Sequence, residues 1–157
     1  MIRPLSPEDL DEVLAINQSN RPAVGDLDMR RLRELVGWSS HFLVAGGPEI
    51  TAFLIVLGPG EPYGSLNYRW FEERFDAHAY VDRIAVHSDH QGLGLGARLY
   101  QELFRLEPLL PTTCEVNIRP MNAGSLRFHR RHGFEIVGEQ DTEGGDKRVA
   151  LMARYST

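Results

Sequence analysis

Apolar residues recur along the chain in two rhythms: short runs or every second position in some stretches, three and four apart in others. The first rhythm marks strands. Ile2 to Leu5, His41 to Ala45, Ile50 to Leu57, Tyr80 to Val86, Thr112 to Ile118, Phe134 to Glu139 and Arg148 to Tyr155 are rich in β-branched, aromatic or apolar residues. Turn residues separate them, among them Gly46-Gly47-Pro48-Glu49 and Gly144-Gly145-Asp146. The second rhythm marks helices. One opens at Ser6-Pro7-Glu8-Asp9, with Ser6 suited to the N-cap, Pro7 to the first helical position and Asp9 to the third, and runs to about Asn17. Leu27 to Val36 carries an apolar stripe of Leu32, Leu35 and Val36, and two further helices span about Leu93 to Arg105 and Asn122 to Arg131, the last closed by Gly133. The order predicts a single α/β (α+β) domain over residues 1–157, with a mixed, twisted sheet of about seven strands flanked by four helices.

One segment resists this pattern. Gly58 to Ala79 is too long for a tight connection and holds Tyr63, Tyr68, Trp70, Phe71 and Phe75. Two readings are open: a lid or binding loop, or an insertion whose aromatics pack it onto the core.

Composition narrows the function. With 157 residues, 42% of them hydrophobic, the chain can bury one real core. A formal net charge of -5 leaves no basic excess to hold a nucleic-acid backbone. The single cysteine, Cys114, permits no internal disulfide, reads as a small core residue rather than a nucleophile, and fits a cytoplasmic location. No run approaches the roughly 20 apolar residues of a membrane span, and the six histidines lack carboxylate partners at metal-ligand spacing. We therefore expect no nucleic acid, membrane or metal as partner.

The candidate chemistry starts at His90 to Tyr100, HQGLGLGARLY, between a strand and a helix. Bare backbone at Gly92, Gly94 and Gly96 lets N–H groups close on phosphate oxygens, and the helix N-terminus adds a favourable field. The nucleotide-triphosphate loop is excluded, because Ala97-Arg98 stand where it needs Lys and Ser or Thr. The dinucleotide fingerprint fits poorly, because these glycines are spaced by two and lie mid-chain. A glycine-rich turn without a ligand is the remaining alternative to a phosphate site.

The run VDRIAVHSDHQGLGLGARLYQEL, with Gln91-x-x-Gly94-x-Gly96, resembles the coenzyme-binding motif of the GNAT superfamily of N-acetyltransferases. Asn122-x-x-Ser125-x-x-Phe128-His129-x-x-x-Gly133-Phe134 is similar to a second motif of that family, and IRPLSPEDLDEVLAI looks like its first strand and helix. The resemblance implies transfer of an acetyl group from acetyl-CoA to an amine-bearing small molecule or peptide, and it is compatible with a homodimer. It further implies that backbone amides of Gln91, Gly92, Leu93, Gly94, Leu95, Gly96 and Ala97 hold the pyrophosphate, and that Ile84, Ala85 and Val86 line the pantetheine arm. Asn122, with Ser125 and Phe128 of the same motif, falls on the coenzyme side, in a cleft expected between the strands Tyr80 to Val86 and Thr112 to Ile118. His129 stands where the family usually has a tyrosine acting as general acid.

The helix around His129 supports part of this independently. At 100° per residue, Asn122, Ser125 and His129 fall within about 60° of one another and form one polar stripe. A histidinium could protonate a thiolate near neutral pH. The other reading of His129 is packing. For the base, Glu115 is preferred, because a polar run inside an apolar-flanked strand needs a local reason. Asp82 is either a second candidate or the ion-pair partner of Arg83. Asn117 shares a strand face with Glu115 and, with Tyr68 and Trp70 of the insertion, is assigned to the acceptor side. Arg127, Arg130 and Arg131 read as a solvated face. Two rivals stay open: a non-catalytic acyl-CoA-binding module of the same fold, and a nucleotide-binding domain without acyl chemistry.

Overall fold

The computed structural model describes residues 1–156. Its strands are β1 (Ile2–Pro4), β2 (Ser39–Gly46), β3 (Ile50–Leu57), β4 (Ala79–Val86), β5 (Thr112–Arg119), β6 (Glu135–Thr142) and β7 (Lys147–Arg154). Its α-helices are α1 (Leu10–Ser19), α2 (Met29–Trp38), α3 (Leu66–Glu72), α4 (Leu95–Leu106) and α5 (Ala123–Arg131). The seven strands are ordered β1-β2-β3-β4-β5-β7-β6. This is the mixed α/β architecture expected, with one helix more than the four predicted.

The chain divides into two compact units, Met1–Leu57 with Val81–Pro108, and Gly58–Tyr80 with Leu109–Thr157. In the first, β1, β2 and β3 run antiparallel in sequence order, and the apolar run of β3 is buried at every residue except Thr51. An unbroken apolar strand suits an interior position covered on both faces. Helix α2 starts two residues later than the periodicity suggests, because the Asp28 side chain caps it by accepting the Arg31 N–H at 2.8 Å. Its stripe residues Leu32 and Leu35 are fully buried. Buried Asp9 accepts two bonds from the Arg3 guanidinium at 2.7 and 2.9 Å, which holds its carboxyl below the usual range.

The second unit pairs β5 with β7 and β6 with β7, both antiparallel. The parallel ladder of β4 with β5 consists of two pairs, Ala79↔Thr112 and Tyr80↔Thr113. Helix α3, the unpredicted fifth, lies inside the aromatic segment. Ser65 caps it by accepting the Tyr68 N–H, and Tyr68 and Phe71 point inward. Their rings join Phe75, His78 and Tyr80 in one cluster with centroids 5.2 to 6.4 Å apart. Fully buried His78 ties this cluster down, with Nδ1 2.8 Å from Thr113 Oγ1 and Nε2 2.8 Å from Glu72 Oε1. Of the two readings of the insertion, packing onto the core is the one observed.

Candidate functional site

The glycine loop is built from backbone. After β4 the chain turns through Ser88–His90, and Gly92 and Gly94 both take left-handed conformations, at φ 81° and 79°. A side chain at either would meet no atom within 4 Å, so glycine is required there by backbone conformation, and the space beside the loop is open. Gly94 is also the N-cap of α4. That is why the helix begins at Leu95 and not at Leu93. The first intrahelical bond runs from Arg98 N–H to Gly94 O at 3.1 Å, and the N–H groups of Leu95, Gly96 and Ala97 precede it at the positive end of a twelve-residue helix. Buried Leu99, Tyr100 and Leu103 anchor the helix behind them.

Two amide side chains fix the start of this loop. Asn20, at the C-cap of α1, donates from Nδ2 to the Val86 carbonyl at 3.1 Å, and Gln91 donates from Nε2 to the same carbonyl and to Asn20 Oδ1, each at 3.3 Å. Gln91 of the motif therefore clamps the end of β4 from its side chain, and Asn20 is a partner that nothing in the sequence marked. On β4 itself Ala85 is buried while Ile84 and Val86 are half-buried.

Asp82 does not stand in this site as a free base. Its side chain is 3% exposed and pairs with Arg83 Nε at 2.8 Å, and Arg83 also donates to Asn17 Oδ1 and to the Gly25 carbonyl. The ion-pair reading of Asp82 is the one the geometry supports.

In the second unit the focal group is Glu115. It lies on β5 between buried Cys114 and Val116, is half-buried, and is on the same strand face as Asn117. The Tyr80 hydroxyl donates across both carboxylate oxygens, at 2.7 Å to Oε1 and 2.9 Å to Oε2. Asn67 Nδ2 donates to Oε1 at 3.3 Å, and Gln140 Nε2 donates to Asn67 Oδ1 at 3.0 Å. Neither Asn67 nor Gln140 was anticipated, and Tyr80 was read only as a strand residue.

Of the two aromatics assigned to the acceptor, Tyr68 is buried and Trp70 is half-buried. Tyr68 is 1% exposed; its hydroxyl donates to the Gly58 carbonyl at 2.6 Å and accepts the Glu61 N–H, and burial pushes its pKa up to about 12. Trp70 lies against Gly138 of β6, where a β-carbon would come within 2.5 Å of its ring, and Arg74 covers the indole at 4.1 Å. Both belong to the packing of α3. Among the described residues no group of His, Cys, Asp and Glu side chains could hold a metal ion, and no helix is long and apolar enough to cross a membrane.

Helix α5 carries the second motif. Asn122 caps it, its Oδ1 accepting the Ser125 N–H at 3.2 Å. His129 is 4% exposed, wedged edge-on between Phe128 and Phe134, and its Nδ1 lies 2.8 Å from the Ser125 carbonyl and 3.3 Å from Ser125 Oγ. A carbonyl only accepts, so Nδ1 carries the proton. Asn122, Ser125 and His129 thus share a face as expected. Burial lowers the pKa of His129 below its ordinary 6.5, so the ring is neutral at pH 7 with its Nδ1–H held by Ser125. Of the two readings of His129, this placement agrees with packing.

The family model of the Acetyltransferase (GNAT) family matches residues 11–134. The chain is 24% identical over 152 residues, 96% of its length and 94% of the relative's, to the peptidyl-lysine N-acetyltransferase YjaB of Salmonella typhimurium. Its fold is similar to that of the ribosomal-protein-S18-alanine N-acetyltransferase of Escherichia coli, with a TM-score of 0.75 at 20% identity, covering 100% of this chain and 94% of that one. Naa20 of Chaetomium thermophilum, crystallised with a bisubstrate analogue, gives 0.74 at 18% identity over 99% and 86%.

Proposed function

Because the chain belongs to the acetyltransferase (GNAT) family, we propose that it transfers an acetyl group from acetyl-CoA to the amine of a small molecule or peptide. The observation that carries this reading is the loop of residues 91–97. Two left-handed glycines beside open space bring the first N–H groups of α4 to a point where pyrophosphate oxygens can replace their missing partners. The β4–β5 ladder stops after Tyr80, which leaves Ile84, Ala85 and Val86 suited to pair with the amide-bearing pantetheine arm. The Asn20 and Gln91 bonds keep the end of that strand in register with the loop.

The coenzyme supplies the acetyl group already activated as a thioester. The chain's own tasks are to bind it, to hold the acceptor amine and to take its proton. Glu115 is the group we assign to the amine: a half-buried carboxylate that accepts from neutral donors is suited to attract an ammonium. Backbone does the binding, as N–H groups at a helix N-terminus do for anions generally. His129 is assigned a supporting part, its neutral ring filling the space under α5 and fixing Ser125. The peptide-acetylating names of the relatives agree with an exposed amine on a peptide as acceptor, and we place lysine-containing and alanine-initiated peptides first among the probes.

Calorimetry with acetyl-CoA tests the first step, and release of free thiol in the presence of those peptides tests the second. Micromolar binding by the wild type and none by Gly94→Glu is the expected result. Absence of binding by the folded wild type overturns the proposal at the coenzyme site.

A further inference from the structure

Glu115 is half-buried in a strand in which both flanking residues are core, and its carboxylate accepts from groups of two other elements. We propose that Tyr80 and Asn67, with Gln140 behind Asn67, are positioning residues that fix the orientation and ionised state of Glu115 for the acceptor amine; this rests on the assignment of Glu115 made above.

The hydrogen bonds run in one sense. Gln140 Nε2 donates to Asn67 Oδ1, and Asn67 Nδ2 donates to Glu115 Oε1. An amide turned the other way would set its oxygen against the carboxylate and its NH₂ against the NH₂ of Gln140, so each end of the chain enforces the orientation of the other. Every donor in it points toward negative charge on Glu115. The Tyr80 hydroxyl, shared between the two carboxylate oxygens, defines the in-plane direction that a single donor would leave free.

Asn67 owes its place to packing that the site does not otherwise need. Trp70 follows it by one helical turn on α3 and rests on the bare backbone of Gly138. In the register of the sheet, Glu115 lies opposite Leu151, and Leu151 opposite Gly138, so Glu115 and the seat of Trp70 occupy one row. Asn117, Val149 and Gln140 occupy the next row. Helix α3 therefore spans both rows. The aromatic segment acts as a brace for the carboxylate.

Titratable side chains on the elements packed around β5 also neighbour this carboxylate. From β4 the facing group is the Tyr80 phenol itself. From α3 it is Tyr68, whose phenol stays neutral up to about pH 12. His78 lies beyond Tyr80, its ring 6.4 Å away and its nitrogens on Thr113 and Glu72. From β7 and β6 the two rows hold Leu151 and Gly138, and Val149 and Gln140, none titratable. Helix α5, which packs on β5, brings His129, neutral by burial.

The test reads Glu115 directly, by following its ¹³C-labelled carboxyl through a pH titration in the full-length protein. Tyr80→Phe is expected to raise the midpoint by about one unit, the value of one hydrogen bond to a charged group. Asn67→Ala raises it less, and Asn67→Asp, similar in size but with a charge in place of the donor, raises it most. Gln140→Ala adds nothing to Asn67→Ala, since it acts only through that residue. The acid limb of kcat/KM for a lysine-containing peptide moves with the midpoint, while the affinity for acetyl-CoA stays at the wild-type value. An unmoved midpoint in all the folded variants overturns the proposal. So does a midpoint that moves while the acid limb stays in place. Failure of the wild type to bind acetyl-CoA would instead strike at the coenzyme site, a separate and distinguishable result.

Discussion

The loop of residues 91–97 and the surroundings of Glu115 solve opposite problems. The loop works through main-chain N–H groups, so it needs side chains to be absent, and its glycines stand next to open space. The Glu115 site works through side chains from β4, α3, β5 and β6, so it needs them packed, and its one essential glycine, Gly138, stands under an indole ring. The same residue type serves ligand access in one region and close packing in the other. A backbone site is fixed by local conformation over a few residues. A side-chain site is fixed by pairings between residues such as Gln140 and Asn67, 73 positions apart.

The sharpest way to break this contrast is to change charge without changing shape. Glu115→Gln should lower kcat/KM for a peptide acceptor by about 10²- to 10⁴-fold, the usual worth of a positioned proton acceptor, with acetyl-CoA affinity unaltered in calorimetry. Loss of coenzyme binding in that variant would mean the two regions are not separable. Next comes Gly94→Glu, which should weaken acetyl-CoA binding by about 100-fold or more, since it sets a carboxylate where phosphate oxygens would lie. Its melting temperature should fall only slightly, because an acidic group at a helix N-terminus is favourable and the added side chain enters open space.

The third comparison sets alanine against glycine in both regions. Gly138→Ala forces its new carbon against Trp70 and should cost about 1–3 kcal/mol in urea unfolding, the range for overpacking. Tryptophan fluorescence should report the displaced ring. Gly92→Ala meets no atom and should cost only the left-handed backbone strain, about 1–2 kcal/mol. Equal effects with no change at the indole would remove the basis for calling α3 a seated brace.

The sequence made the loop legible because a glycine pattern between a strand and a helix is a local signal. All seven strands were legible too, β3 with its observed bounds, since apolar runs and turn residues are read over a few positions. Helix α3 escaped because seven residues complete barely two turns, too few for periodicity to separate it from an aromatic-rich loop. Glu115 was found as a polar residue in an apolar strand, but its partners were not. Asn67, Tyr80 and Gln140 lie in three different elements, and only tertiary packing brings them together. Tyr68 and Trp70 were assigned to the acceptor for their chemistry, whereas Tyr68 is buried and Trp70 packs against Gly138 and Arg74. His129 illustrates the same limit: the motif located it, and its pKa is set by burial, the Ser125 carbonyl and the neighbouring His132, of which burial is not read from local spacing.

The smallest effect should separate the two regions by pH alone. The three histidines whose pKa burial lowers from 6.5, His78, His129 and His132, all lie in the unit that contains Glu115. Glu72 pulls His78 the other way, and burial outweighs it. A folded-state pKa below the unfolded value means the unfolded chain binds more protons in the interval between them, so stability is full above about pH 6.5 and declines as pH falls through that interval. His78 and His129, being buried, each add at most about 1.4 kcal/mol per pH unit to the slope. The urea midpoint should therefore drop between pH 7 and 5.5, well above the range where Asp9, Asp26 and Asp141, held low by hydrogen bonds and nearby arginines, begin to protonate. Amide hydrogen exchange at the lower pH, corrected for its intrinsic rate, should rise first in α3, β5 and α5, with α4 protected longer. Uniform loss of protection across both units would show that the histidines do not set the acid response. Loss beginning in α4 would place the acid-sensitive region at the loop, in the unit that holds none of the three histidines, and the link between the buried histidines and the acid response would fall.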